Sequence, residues 1–481
     1  MVKRNEVGLA TPGRDDGVDE WTPGRKRRAS LNSHILASLQ LESQAKSSWI
    51  VTVMRLKRKV EFEPFRDLVT ERLIQFPRLR SVIVDRGFGK ACDFQELGKD
   101  ELDLNYLWKK ALDGKVASDV DLNGLIGGLF EGWEPRLDQP LWQITFIPEL
   151  ESGSSCLLIN LSHALGDGVG LIELLYRILD ANPSDIPRTR TLAKAKPPGL
   201  GFLAKANVFI SGLMQGTFVT LTPPDKKTTL RLKNIKKPSP TKACAFSPTV
   251  DVAEIKAVQA LYQYATFNDV LMTLLNLTME AYFEQVNDKT AMKSKLRAQF
   301  PVNLRKKNQG NFRDGSPRNL WMYGFMPLHV SKKGSPTDLF WKTKRSLDKV
   351  KNSPAPIVTL ATGKLALRTL PRKLANKLLI NAAGKSTLQL SNVAGPSNAV
   401  FIGGEEVEAL SFQLFAPLSI YVGLLTYNGK LAASFNLDSS LADPELLAKN
   451  FVPSFEAFKA HAIAEATKHG GLIKQPSRGW F

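Results

Sequence analysis

The chain has 481 residues, 43% of them hydrophobic, and a formal net charge of +19 from 65 Lys and Arg against 46 Asp and Glu. That length predicts roughly two to three domains with a large buried core. Cys92, Cys156 and Cys244 are odd in number, far apart and without CxxC spacing, which argues against a disulfide framework or a zinc site and for a reducing compartment on the cytosolic side.

The N-terminus is polar and basic, so no secretory signal peptide is expected, and residues 1–30 read as a disordered basic tail. Helical spacing of apolar residues begins in Pro64 to Ile74. From Pro140 to Leu150 the pattern changes to period two, with Trp142, Ile144 and Phe146 on one strand face. The turn Glu151-Ser-Gly-Ser-Ser155 returns the chain into a second apolar strand, Cys156 to Leu161, so the two form a hairpin. A helical run follows at Leu171 to Leu179. Ala181-Asn-Pro-Ser-Asp-Ile-Pro187 and Lys196-Pro-Pro-Gly199 then break the pattern, as do Pro223-Pro224 and Pro238-Ser-Pro240.

Between those breaks, Gly201 to Leu221 is the most apolar stretch, but Lys205, Asn207 and Gln215 interrupt it. It is short of the roughly 18 uninterrupted apolar residues of a membrane span, and suits either an interfacial helix or a core helix. In the second half the helical pattern is weak around Ile255, and Asn268 to Phe283 is predicted as a long helix with Leu271, Leu274, Leu275 and Met279 near one face. Tyr421 to Tyr427, Asn428-Gly429 and Leu431 to Leu437 predict a type I′ hairpin, and Asp443-Pro444 predicts an N-cap followed by proline in the first helical position. The expected organisation is a tail over 1–30, a first domain over 31–182, a crossover over 183–244 and a second domain over 245–481.

The basic residues fall in separate clusters, Arg25 to Arg28, Arg55 to Lys59, Lys226-Lys227, Lys236-Lys237, Lys306-Lys307 and Lys332-Lys333, with no aromatic-interleaved stripe. That distribution disfavours nucleic acid and leaves two readings, an anionic membrane surface as partner or a solvated basic surface.

One hexapeptide carries chemistry: His163-Ala-Leu-Gly-Asp167-Gly168, between the apolar strand and the helical run. A histidine at a strand end can take a proton from an incoming hydroxyl at neutral pH. Asp167 suits tying the turn down by pairing with a cation, and Gly168 suits a tight turn before the helix. A buried, hydrogen-bonded core histidine followed by a turn would give the same letters. Gly384-Lys385-Ser386 lacks the glycine-rich turn of a phosphate-binding loop, and no G-x-S-x-G elbow is present. His34, His329, His461 and His469 show no metal-ligand spacing, so no metal site is predicted.

The hexapeptide resembles the HxxxDG signature of the CoA-dependent acyltransferase superfamily. Further segments narrow the resemblance: Pro140-Leu141-Trp142, Thr266-Phe-Asn268-Asp269-Val270, Pro301-Val-Asn-Leu-Arg305, Gly310-Asn311 and Ser391-Asn392-Val-Ala-Gly-Pro396. In this order, from about residue 31 to the C-terminus, they resemble the bifunctional wax ester synthase/diacylglycerol acyltransferase family, in a plant-type form. Two positions depart from its pattern. Ser162 replaces the first of two adjacent histidines, and Ala394 replaces a proline. No Asp-Phe-Gly-Trp-Gly segment is present, against a plant BAHD enzyme.

The resemblance implies an α/β fold of two chloramphenicol-acetyltransferase-like domains, mixed sheets flanked by helices, with an active-site tunnel between them. It implies an O-acyltransferase with His163 as general base, Asp167 paired with Arg305, and Asn268 or the Ser391-Asn392 segment as oxyanion donor or substrate contact. Acyl-CoA is the implied co-substrate, with no bound cofactor. The acceptor is a long-chain alcohol, giving a wax ester, or diacylglycerol, giving triacylglycerol. The implied location is peripheral, on the endoplasmic reticulum membrane or a lipid droplet. Transfer to a small alcohol or amine, or acyl-CoA binding without catalysis, remains compatible with the residues.

Overall fold

Apolar residues at alternate positions along the strands build two large β-sheets, each covered by helices whose apolar stripes close its core, beside a three-stranded and a two-stranded one. The computed structural model describes residues 21–43, 48–112, 114–129, 131, 135–180, 202–217, 221–231, 239, 241–306, 309–313, 315–330, 334–416, 419–441 and 443–476. The tail over 1–20, the breaks at 181–187 and 196–199, Gly201, Phe218, Val219, Lys307 and the clusters Lys236-Lys237 and Lys332-Lys333 lie outside those residues.

The first sheet runs in the order Phe401–Ile402, Glu405–Phe415, Trp49–Leu56, Cys156–Ser162, Trp142–Ile147, Trp108–Lys110, antiparallel except for its last pair. The expected hairpin is present: Ile147 pairs with Cys156 and Trp142 with Leu161. Helices Phe62–Ile74 and Gly168–Ile178 belong to this half. The second sheet has the order Trp321–Leu328, Leu296–Asn303, Leu388–Ala394, Ile420–Tyr427, Lys430–Asp438, Lys242–Phe246, and its three central strands from Leu296 to Tyr427 are parallel. Val250–Asp251 adds a short seventh strand beside Lys430–Asp438. Helices Phe267–Gln285, Pro336–Lys351 and Glu445–Lys468 bury Leu271, Leu275, Phe340, Phe451, Phe455 and Phe458 in its core.

Local chemistry sets several element ends. Asn428 and Gly429 both take positive φ, 45° and 73°, as the predicted I′ turn requires. The long helix begins at Phe267 with a reciprocal capping box between Thr266 and Asp269. The fully buried Asp269 carboxylate is matched by the Lys344 ammonium at 3.2 Å. The C-terminal helix starts at Glu445, with Pro444 as cap residue, and the Asp443 carboxylate accepts the Glu445 N–H at 2.9 Å instead of capping one turn in.

Two departures from the sequence reading concern partners that pattern alone does not name. Residues 26–28, placed in a disordered tail, form a strand on Asp93–Glu96, because Arg27 finds the buried Glu96 carboxylate at 3.0 Å. The strand Glu405–Phe415, placed in the second domain, crosses back to pair with Trp49–Leu56 in the first sheet. All three cysteines are free and buried, and burial pushes the Cys92 thiol up to about 11 and Cys156 and Cys244 up to about 12.

Candidate active site

His163 is the first residue after the strand Cys156–Ser162, and the turn 163–167 leads into the helix Gly168–Ile178. Its backbone is fixed at both ends. The His163 N–H donates to the Ser48 carbonyl at 2.8 Å, and the His163 carbonyl accepts from Asn319 Nδ2 at 2.6 Å. Asn319, fully buried, in turn accepts from Trp321 Nε1 at 2.7 Å, and the Trp321 ring lies 5.1 Å from the imidazole, centroid to centroid. Nδ1 of His163 is buried, with no side-chain or backbone partner in hydrogen-bond geometry among the described residues. Burial holds the imidazole below its ordinary pKa, opposed by nearby backbone of His163 and Gly166 and by the Asp167 charge.

Asp167 joins three segments. One carboxylate oxygen accepts from Gly170 N at 3.0 Å, capping the helix, and from Arg305 Nη2 at 2.8 Å. The other accepts from Leu320 N at 2.7 Å. Both members of the ion pair have side chains only 5% exposed, so the turn after the histidine is tied to the second half of the chain inside the protein. Arg305 is held from its own side by Asn303, whose Oδ1 accepts the Arg305 N–H at 2.9 Å.

Gly168 differs from expectation. Its φ is not positive; it opens the helix with ordinary geometry, and a Cβ there would lie 3.2 Å from Val393 Cγ2. The close approaches belong to its neighbours. A Cβ at Gly166 would lie 2.8 Å from Pro317 Cβ, and one at Gly170 2.9 Å from the Arg318 carbonyl, so these two glycines let the turn press against the second half.

His163 and Gly168 open on a cavity of about 960 Å³, counting its mouth, between the two sheets. One side is Ile50, Ile159 and Leu161 from the first sheet and Leu171, Leu174, Leu175 and Ile178 from the helix. The other carries Pro301, Trp321, Tyr323, Gln389, Ser391 and Tyr421. The helix's apolar stripe at i, i+3, i+4 and i+7 therefore lines free space. On the strand Leu388–Ala394, period two turns Gln389, Ser391 and Val393 toward the cavity. Gln389 donates to the Tyr323 hydroxyl, Ser391 bonds Tyr421, and burial pushes both phenols well above their ordinary pKa.

The structure does not bring every expected residue here. Asn392 alternates away from the cavity and donates to Asn268 Oδ1 at 2.6 Å, and neither asparagine lines the cavity. Ser391 does. Ser162, where the resemblance expects a histidine, is buried with its Oγ accepting the Ala164 N–H at 3.3 Å, off the cavity lining. The indole of Trp142 donates to the Leu79 carbonyl at 2.7 Å in the first core. Asn319 and Trp321 escaped the sequence reading; their signal was weak, a polar residue two positions before a tryptophan at the start of a strand.

The fold, two mixed sheets with a histidine at a strand end between them, is shared with solved acyltransferases. A wax ester synthase/diacylglycerol acyltransferase from Marinobacter aquaeolei VT8 superposes with a TM-score of 0.57 at 16% identity, covering 92% of this chain and 100% of that one. A trichothecene 15-O-acetyltransferase from Fusarium sporotrichioides gives 0.57 at 11% identity, covering 91% and 95%. The sequence family described as the wax ester synthase/diacylglycerol acyltransferase catalytic domain matches residues 34–222, and its WS/DGAT C-terminal domain matches residues 319–459. Wax ester synthase/diacylglycerol acyltransferase 6 of Arabidopsis thaliana is 22% identical over 477 residues, covering 86% of this chain and 90% of that protein. The chain belongs to the wax ester synthase/diacylglycerol acyltransferase family.

Proposed function

We propose that the protein transfers a fatty acyl group from acyl-CoA to a lipid hydroxyl, of a long-chain alcohol or of diacylglycerol. The observation that carries this reading is a largely apolar cavity with hydroxyl and amide side chains on its second-sheet side, opening on a histidine whose turn is locked by a buried ion pair. His163 takes the hydroxyl proton at Nε2 as the oxygen attacks the thioester carbonyl. The tetrahedral intermediate collapses with cleavage of the carbon–sulfur bond, and the proton passes to the departing thiolate, giving ester and free CoA. No acyl-enzyme forms.

Ser391 is the side chain best placed to donate to the oxyanion, since it faces the cavity where Asn268 and Asn392 do not. Asp167 and Arg305 position the turn, and Asn319 with Trp321 positions the histidine. The halves 31–182 and 245–481, bridged by 183–244, bound a tunnel that admits acyl-CoA and acceptor from different sides. A peripheral place on the cytosolic face of the endoplasmic reticulum or on a lipid droplet fits this chemistry. The test is purified protein with labelled acyl-CoA and a panel of long-chain alcohol, diacylglycerol, short alcohol and amine. Ester with either lipid acceptor is the expected result. Product with the short acceptors only, or acyl-CoA bound and never turned over, would replace this reading.

A further inference from the structure

Four large apolar residues in the second half of Phe202–Thr217 are on the outside. Phe209, Ile210, Leu213 and Met214 are 55%, 58%, 37% and 59% exposed. The helix packs on Ala355–Thr369 through glycines instead. A Cβ at Gly212 would meet Ser353 Oγ and lie 2.6 Å from Pro354 Cδ, and one at Gly216 would lie 2.6 Å from Val358 Cβ. At 100° per residue the four apolar side chains share one face, roughly a third of a turn from the glycine stripe. Small residues thus seat the helix closely and leave these four apolar ones unburied.

The partner helix repeats the pattern. Ile357 and Leu365 are 63% and 60% exposed, with Lys364 and Arg368 exposed on the same side of Ala355–Thr369. The next helix, Arg372–Ala383, exposes Lys373, Leu374 and Lys377. From Lys349 to Gly404, and from Ile186 to Pro224, the sequence contains no Asp or Glu. Lys364, Arg368, Lys373 and Lys377 make no ion pair among the described residues. The cluster at 55–59 is different: Arg55, Lys57 and Lys59 are each paired, with Asp119, Glu406 and Glu149 at 2.5, 2.7 and 2.5 Å. Lys and Arg side chains free to meet an anionic partner therefore sit beside the exposed apolar residues.

We propose that the outward faces of Phe202–Thr217 and Ala355–Thr369, with the start of Arg372–Ala383, dock the protein on an anionic lipid surface. Large apolar residues enter the acyl boundary while Lys and Arg meet the headgroups. No helix among the described residues is long and apolar enough to cross a membrane, so these helices lie on the surface. The proposal rests on the acyltransferase reading for its purpose, since both the lipid acceptor and the ester product partition into such a surface.

Flotation of the full chain with vesicles of mixed phosphatidylcholine and phosphatidylserine tests it. The parent is expected to float. F209Q/I210Q/M214Q and, separately, K364E/R368E are expected to lose at least about tenfold in partitioning while melting with the parent and keeping its rate on a water-soluble alcohol. Parent protein that stays in solution, or variants that float like the parent, would overturn the proposal. So would a dimer that the same substitutions dissolve, with no vesicle binding, since the face would then belong to a second copy. Parent that floats but transfers no acyl group would support the docking face and remove the acyltransferase reading.

Discussion

The two walls of the cavity are made of different chemistry. The first sheet and the helix after His163 present Ile159, Leu161, Leu171, Leu174 and Leu175, with the Thr52 hydroxyl the polar exception among the described lining residues of that wall besides His163 itself. The second sheet presents Trp321, Tyr323, Gln389, Ser391 and Tyr421 among apolar Leu390, Val393 and Leu425. A hydrocarbon wall excludes water and holds a chain without fixing its position along the wall. The polar wall offers directed donors and acceptors that fix one end of a substrate. His163 lies where the walls meet, just past a strand of the first and clamped by Asn319 and Trp321 at the edge of the second. In the reaction proposed above, the acyl tail lies along the first wall and the reacting groups meet the second.

The largest expected effect is at the junction. His163→Ala should lower kcat by roughly 10²- to 10⁴-fold with folding intact, whereas Ser162→Ala should change it little. A His163→Ala rate within about tenfold of the parent would remove the general base. The pH profile sharpens the same point. Burial keeps the His163 pKa below 6.5, so the neutral base persists through pH 6.5 and the acid limb of kcat/KM lies lower. Stability moves in the same direction. His34, His163 and His329 all have pKa values depressed by burial; their contribution is complete above the unfolded value near 6.5 and is lost as pH falls through the folded values. Thermal unfolding between pH 7 and 5 reads this.

On the polar wall, Ser391→Ala should lower kcat by about 10²- to 10³-fold if its hydroxyl meets the oxyanion, and Asn392→Ala should not. Equal effects at the two positions would mean that the alternation of Leu388–Ala394 does not select the donor. Next comes the tie between the halves. Asp167→Ala and Arg305→Ala each strand a buried charge, worth about 3–5 kcal/mol, and the double variant should be less damaged than the sum of the singles. Strict additivity in denaturant unfolding would show that the pair does not act as a unit.

His163 and Asp167 were legible because they are four residues apart on one turn, and a hexapeptide carries both the strand end and the helix cap. Arg305 came only through resemblance, because a pairing across 138 residues leaves no local trace. Asn319 and Trp321 left only a weak one. The period of the helix Gly168–Ile178 was read correctly, but periodicity says which residues share a face and nothing about whether that face meets packing or free space. The same limit hid Glu405–Phe415 in the first sheet: alternation fixes a strand's two faces, and its partners are set by the tertiary fold.

The smallest effect tests the hydrocarbon wall alone. Ile159 is 5% exposed and faces the cavity from the strand that ends beside His163. Ile159→Phe adds volume there without adding a polar group, so it should shorten the acyl chain the site accepts while leaving the reaction chemistry intact. A few methylenes of lost fit in an apolar pocket shift kcat/KM by about tenfold. The expected result is a fall of that size for long acyl-CoA, a smaller fall or none for short acyl-CoA, and an unchanged KM for the acceptor. Tyr421→Phe, on the opposite wall, should do the reverse, raising the acceptor's KM with the acyl-length profile unchanged. If both substitutions move the acyl-length profile alike, the tail touches both walls, and the division between them describes the protein's surface without describing its substrates.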